Sequence, residues 1–198
     1  MKKLACLIVC MLAGTAQATT VAEIGDAGDL MGSAQVLGAG TTAITGSGGS
    51  GDIDLYSFGW SGGSFTASTS ASIDPQLFLF NSSGYGILAD DDSAGGLNSL
   101  ISLTLAAGNY FLAINGYNNE ATSISGNIFN NGCCGTELPT GPGAGDPLSG
   151  WTGGGSAGTY TISFRSATSA VVPEPASLAL MGLGLAGLGY SRKKKASS

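Results

Sequence analysis

The chain has 198 residues, 34 of them glycine, with 13 acidic side chains, seven basic ones, a net charge of −6 and no histidine. Without histidine, Ser-His-Asp and Cys-His catalysis and ordinary His-ligated zinc are excluded. An acidic chain repels nucleic acid and anionic lipid, while it favours solubility and divalent cations.

Met1-Lys2-Lys3 opens with two positive charges, and the apolar run Leu4 to Ala13 follows. Ala16-Gln17-Ala18 then supplies a small-x-small cleavage site. This order reads as a secretory signal peptide, cut by signal peptidase after Ala18. A lipoprotein would need a small residue before its acylated cysteine, and Val9 stands before Cys10. Removal of residues 1–18, and of a tail from Pro173 onward, leaves a body of 154 residues, 19–172. That is one domain, long enough to bury a core. Its single base is Arg165 against 12 acids, a net charge of −11.

Residues 19–51 are rich in Gly, Ala, Ser and Thr; Ala34 to Leu37 is the candidate first strand, and Gly46 to Gly51 reads as a flexible loop. Asp52 to Trp60 alternates, with Tyr56, Phe58 and Trp60 on one face and Ile53 and Leu55 on the other. Gly62-Gly63 is expected to turn the chain into a returning strand, Ser64 to Ala71. Gln76 to Phe80 is continuously apolar after its first residue, the pattern of a buried strand. Asn81 to Gly84 is a hairpin turn, and Tyr85 to Ala89 returns.

An acidic loop, Asp90-Asp91-Asp92-Ser93 to Gly96, leads to a strand at Leu100 to Leu105. Ala106 to Gly108 should turn into a further strand, Asn109 to Asn115. From Gly116 to Ala157 the alternation disappears among Gly, Asn, Pro139, Pro142 and Pro147. This stretch reads as a partly disordered insertion, the most mobile part of the body. Gly158 to Arg165 closes the set, with Tyr160, Ile162 and Phe164 facing inward.

About eight strands joined by Gly-rich turns predict an all-β chain, an antiparallel β-sandwich of jelly-roll type. It would be flanked by an N-terminal signal helix and a C-terminal hydrophobic helix. That last segment begins Pro173-Glu174-Pro175, continues as the apolar run Ala176 to Tyr190 and ends in Arg192-Lys193-Lys194-Lys195. As a helix the 15-residue run spans roughly 22 Å, short of the roughly 30 Å hydrocarbon core. The tail therefore suits a signal that enters the inner membrane transiently and is processed, with a permanent anchor as the alternative.

The three parts in this order resemble the PEP-CTERM sorting signal of exopolysaccharide-producing Gram-negative bacteria. The same signal also carries the name ice-binding-protein C-terminal domain, a label that is no evidence of ice binding. The resemblance covers about an eighth of the chain. It implies recognition by exosortase, a membrane cysteine transpeptidase that removes the tail.

A second resemblance lies in the body. Asp52-x-Asp54-x-Tyr56-x-Phe58, Asp74-Pro75-x-Leu77-x-Leu79-Phe80, Asp90 to Ser93 and Ala107-Gly108-x-Tyr110-x-Leu112 follow the order of the bacterial pre-peptidase C-terminal domain. The likeness resumes at Tyr160 to Phe164. The insertion at 116–157 departs from the pattern, and no catalytic domain accompanies the module. The resemblance implies a non-catalytic sandwich associated with secretion, processing or binding to matrix polymers.

Asp74, Asp90, Asp91 and Asp92 are the candidate metal ligands, with calcium as the ion, because calcium takes six to eight oxygens and a Gly-flanked turn can splay adjacent aspartates around it. The alternative is a solvated acidic turn with Asp90 in an Asx turn. Asp52 and Asp54 share one strand face, and Asp26 belongs to the flexible N-terminal part. Cys133-Cys134 allows a strained vicinal ring, intermolecular bonds, mixed disulfides or free thiols. It lacks the spacing of a redox motif. Trp151 and Tyr117, in or beside the insertion, are candidates for sugar stacking. The expectation is an exported, non-enzymatic cell-surface or matrix protein associated with exopolysaccharide, without nucleic-acid partners. The alternatives are a carbohydrate-binding module and a calcium-dependent adhesin.

Overall fold

The structure is a computed structural model that describes residues 18–130 and 134–166. These residues form twelve strands and no helix. They are β1 (Thr19–Ala22), β2 (Gln35–Val36), β3 (Thr41–Gly48), β4 (Ile53–Ala71), β5 (Pro75–Asn81), β6 (Gly86–Asp91), β7 (Leu100–Gly116), β8 (Asn119–Ser123), β9 (Gly126–Asn127), β10 (Gly135–Glu137), β11 (Gly150–Gly153) and β12 (Gly158–Ser166). Nine strands make one sheet in the order β1-β3-β12-β4-β7-β5-β6-β10, with β2 also pairing β4. A second sheet of three runs β11-β8-β9.

Four expected strands are two. Ser64 to Ala71 does not return on Asp52 to Trp60, and Asn109 to Asn115 does not return on Leu100 to Leu105. Instead β4 and β7 run through these points and pair with each other from Ile53↔Asn115 to Ser68↔Leu100. Gly62 and Gly63 have φ of 94° and 101°, which lets β4 bend without leaving its partner. The bend is sharp enough to bring Phe58 and Phe65 into stacking contact at 5.4 Å between ring centroids. Seven residues of straight strand would separate them by roughly 23 Å. The sheet thus folds over on itself, and Tyr56, Phe58, Phe65, Leu79, Leu112, Tyr160, Ile162 and Phe164 meet in one core between its halves. The expectation of an all-β sandwich holds in this form, with twelve strands rather than about eight. The pairs β1–β3 and β2–β4 are parallel, unlike the purely antiparallel set expected.

The outer face of the sheet carries a second core. Ile53, Leu55, Phe78, Phe80, Ala89 and Ala113 lie there under Ala121, Ile128, Phe129 and Leu148. This explains the continuous apolar run of β5: Leu77 and Leu79 enter the first core while Phe78 and Phe80 enter the second. The cover comes from the 116–157 insertion, so the expectation of a partly disordered segment is corrected. Ile128 and Phe129 are fully buried, and β8, β9 and β11 are strands of this segment. Its glycines serve close packing of backbones: a Cβ on Gly143 would stand 2.0 Å from the Gly126 carbonyl oxygen, and one on Gly141 2.2 Å from that of Asn127.

At the other end, the Gly46–Gly51 loop is partly strand, since Gly46 and Ser47 pair with Tyr160 and Thr159. The hairpin at Asn81 stands as expected, with the Asn81 carboxamide oxygen accepting from the Ser83 and Tyr85 amides. No helix of the described residues is long and apolar enough to cross a membrane. Residues 1–17 of the expected signal peptide, Ala16 among them, the residue Cys133, and the tail with Pro173, Glu174, Pro175 and Arg192 to Lys195 lie outside the described residues, whereas Ala18 lies within them.

Candidate functional site

The acidic stretch is divided by the pleat. Asp90 and Asp91 end β6 as buried residues, not members of a solvated loop, and they point to opposite faces. Asp90 is used up in holding the turn. Its Oδ1 accepts from the amides of Leu100 (2.6 Å) and Ser93 (3.2 Å), and its Oδ2 accepts from the Thr136 hydroxyl (2.8 Å). A carboxylate with three donors ties β6, β7 and β10 together and has little left to offer an ion.

Asp91 turns the other way and meets Asp92 and Asp74. Each of the three offers one carboxylate oxygen, and these oxygens lie within 4.8 Å of one another. The elements explain the meeting. Asp74 sits at the start of β5, where the Tyr117 amide donates to its backbone carbonyl at 2.8 Å. Asp91 pairs with Gln76 of β5 on one side and Gly135 of β10 on the other. Asp92 leaves the strand with φ of 72°, in the left-handed region that Asp tolerates better than most residues. This swings its side chain back towards Asp91 instead of alternating away from it.

The Oδ1 atoms of Asp74, Asp91 and Asp92 are all buried without a hydrogen-bond partner. Asp91, only 4% exposed, has its carboxyl pushed up to about 6, first by burial and then by the charges of Asp92 and Asp74, against the pull of the Cys134 amide. Asp74 is raised by burial and by Asp92. Of the four expected ligands, three therefore converge and Asp90 does not.

A second acidic group went unrecognised in the sequence. Asp26, Asp52 and Asp54 also bring carboxylate oxygens within 4.8 Å of one another. Asp26 accepts from the Gly28 amide at 2.9 Å, so it is held in a turn instead of a flexible segment. Asp52 accepts from the amides of Gly49 and Ile53. Asp54 is buried, with its Oδ2 accepting from the Tyr160 hydroxyl at 2.7 Å and its Oδ1 unpartnered. Burial, first, and the neighbouring acids Glu23 and Asp52 push it up to about 7 despite the Tyr160 bond. Burial also raises Tyr160 and Tyr56, whose hydroxyls bond each other. The only sequence signal was the Asp52-x-Asp54 spacing. Asp26 joins them through the path of the chain, which spacing does not reveal.

Of the two aromatics suggested for sugar stacking, Trp151 is tied down. Its Nε1 donates to the Asp29 carbonyl at 2.7 Å, and its ring packs edge-on against Phe78 and Phe80. Tyr117 is 45% exposed. A separate cavity of about 330 Å³ is lined by Phe58, Trp60 and Phe164 beside residues 37–42. Trp60 is there half-buried.

Comparison with known proteins bears on the tail and the body separately. Residues 171–194 match the PEP-CTERM protein-sorting motif. No curated protein matches the chain. Among solved structures, the pre-peptidase C-terminal domain of collagenase from Bacillus anthracis is similar at 17% identity, over 77% of this chain and 100% of that one, with a TM-score of 0.39. The chain thus carries a PEP-CTERM signal at its C-terminal end, and this signal indicates exosortase processing during export across the inner membrane to a surface or extracellular location.

Proposed function

We propose that the body is a non-enzymatic module of the cell surface or extracellular matrix, held among exopolysaccharide once its signals are gone. The observation that carries this reading is the sorting motif at residues 171–194, behind a body built as one folded sheet with two cores. The acidic chemistry supports it. The oxygens of Asp74, Asp91 and Asp92 lie within 4.8 Å of one another, a grouping that suits a cation. Without histidine in the chain, no general base near neutral pH is supplied by the usual residue. Fractionation of cells with and without exosortase tests the reading. The protein should sit in the matrix fraction only when exosortase is present; an unchanged distribution would overturn it.

A second reading, carbohydrate binding, has the Trp60 cavity in its favour. Tryptophan faces suit sugar rings, and this one opens beside a partly apolar wall of Phe58 and Phe164. Under this reading Trp60→Ala abolishes retardation in polysaccharide affinity gels, and under the first it does not.

A further inference from the structure

We propose that Asp74, Asp91 and Asp92 form a calcium site that clamps the end of β6 and the following turn to the start of β5. This goes beyond the surface role and does not depend on it. Acidic turns are commonly solvated and hold no ion. Asp91 departs from that pattern, being 4% exposed with an unpartnered Oδ1. A solvated acid would face water, and a structural one would be saturated with donors. Asp90, one residue away, shows the saturated case, with two amides and a hydroxyl on its carboxylate. Asp91 is neither: its carboxylate takes the Cys134 amide and leaves Oδ1 buried without a donor, and Asp74 and Asp92 each add a buried unpartnered oxygen beside it.

A cation resolves this arrangement. The alternative partner, a basic side chain, is nearly absent from the body, where Arg165 is the single base. Three carboxylates carry enough negative charge to neutralise a divalent ion. The donors are all hard oxygens, with no imidazole in the chain, which favours calcium or magnesium over the transition metals. Magnesium dehydrates reluctantly and demands near-octahedral geometry, whereas a site of buried carboxylates drawn from a strand end, a left-handed turn residue and a strand start suits the irregular shell of calcium. The ion would join residues that already touch both neighbours of β6, because Asp91 pairs with Gln76 and with Gly135.

The test is calorimetric titration and thermal melting of the secreted protein after stripping with chelator. Calcium should bind with a dissociation constant of about 0.1–1 mM, as extracellular modules do. It should raise the melting temperature, while sodium at equal ionic strength should not. Asp91→Asn and Asp74→Asn, which come from different segments, should each weaken binding at least tenfold, and Asp29→Asn, on the exposed surface, should leave it unchanged. In chelator, Asp91→Asn should melt no lower than the parent, because it relieves the crowding of like charges with Asp74 and Asp92 while its carboxamide oxygen can still accept from the Cys134 amide. That second reading separates loss of a ligand from loss of the fold. Equal stabilisation by sodium, or calcium binding that survives both substitutions, would overturn the proposal.

Discussion

Asp90 and Asp91 are adjacent, identical in side chain and both buried, yet the fold gives them opposite work. Removing the Asp90 carboxylate orphans two amides and a hydroxyl. Asp90→Ala should therefore lower unfolding free energy by about 2–4 kcal/mol, from the loss of charge-assisted bonds, as read by urea denaturation. Asp54 makes a prediction of a different kind. Its folded pKa of about 7 lies above the ordinary 3.8. Between those values the folded chain holds a proton that the unfolded chain has lost. The group's contribution is complete below the lower value and is lost as pH rises through the upper one. Asp91, raised to about 6 in the ion-free protein, acts with the same sign. In chelator, raising the pH from 4 to 8 should thus cost the parent more stability than Asp54→Asn, as read from urea midpoints across the series. Equal slopes would mean that Asp54 titrates normally in the folded state.

At the scale of elements, the strands themselves were legible in the sequence while their connections were not. The alternation of Asp52 to Trp60 placed Tyr56 and Phe58 against one core and Ile53 and Leu55 against the other. Gly62-Gly63 and Ala106 to Gly108 looked like turns, because a bend and a turn draw on the same residues. Only the pairing of β4 with β7 distinguishes them, and that partnership is non-local. The insertion was obscure for another reason. Its apolar residues, Ala121, Ile128, Phe129, Leu148 and Trp151, are too far apart to show a period of two. They work as a lid over Phe78 and Phe80. That Asp74, Asp91 and Asp92 come together was legible in their grouping around one turn and one Asp-Pro; that Asp90 turns away to take backbone donors was not, because adjacent aspartates do not reveal which of them finds such donors. Phe129→Ala should accordingly cost about 3–5 kcal/mol, the range for a buried Phe. Amide exchange at Ala121 and Ile128 should be as slow as in β5. Fast exchange there would return the insertion to the mobile loop that its composition suggests. The bend makes a parallel prediction. Gly62→Val should destabilise the protein, since its φ of 94° is one that β-branched residues do not adopt without strain.

For the whole molecule, residues 19–172 carry a net charge of −11, and every other basic residue of the chain lies in the expected signal peptide or in the run Arg192 to Lys195, where the matched motif at 171–194 ends. The expected cut after Ala18 falls directly ahead of Thr19, the first residue of β1, so no strand residue leaves with the signal peptide. At the other end, β12 closes at Ser166, ahead of the matched motif at 171–194. Both expected processing points thus fall outside the strands of the body. Intact-mass and terminal-peptide mass spectrometry of the protein recovered from the cell surface or medium tests this most directly. The account predicts a chain that begins at Thr19 and ends near Pro173-Glu174-Pro175, without Arg192 to Lys195. A surface protein that still carries those four basic residues would contradict it and leave the tail as a permanent anchor.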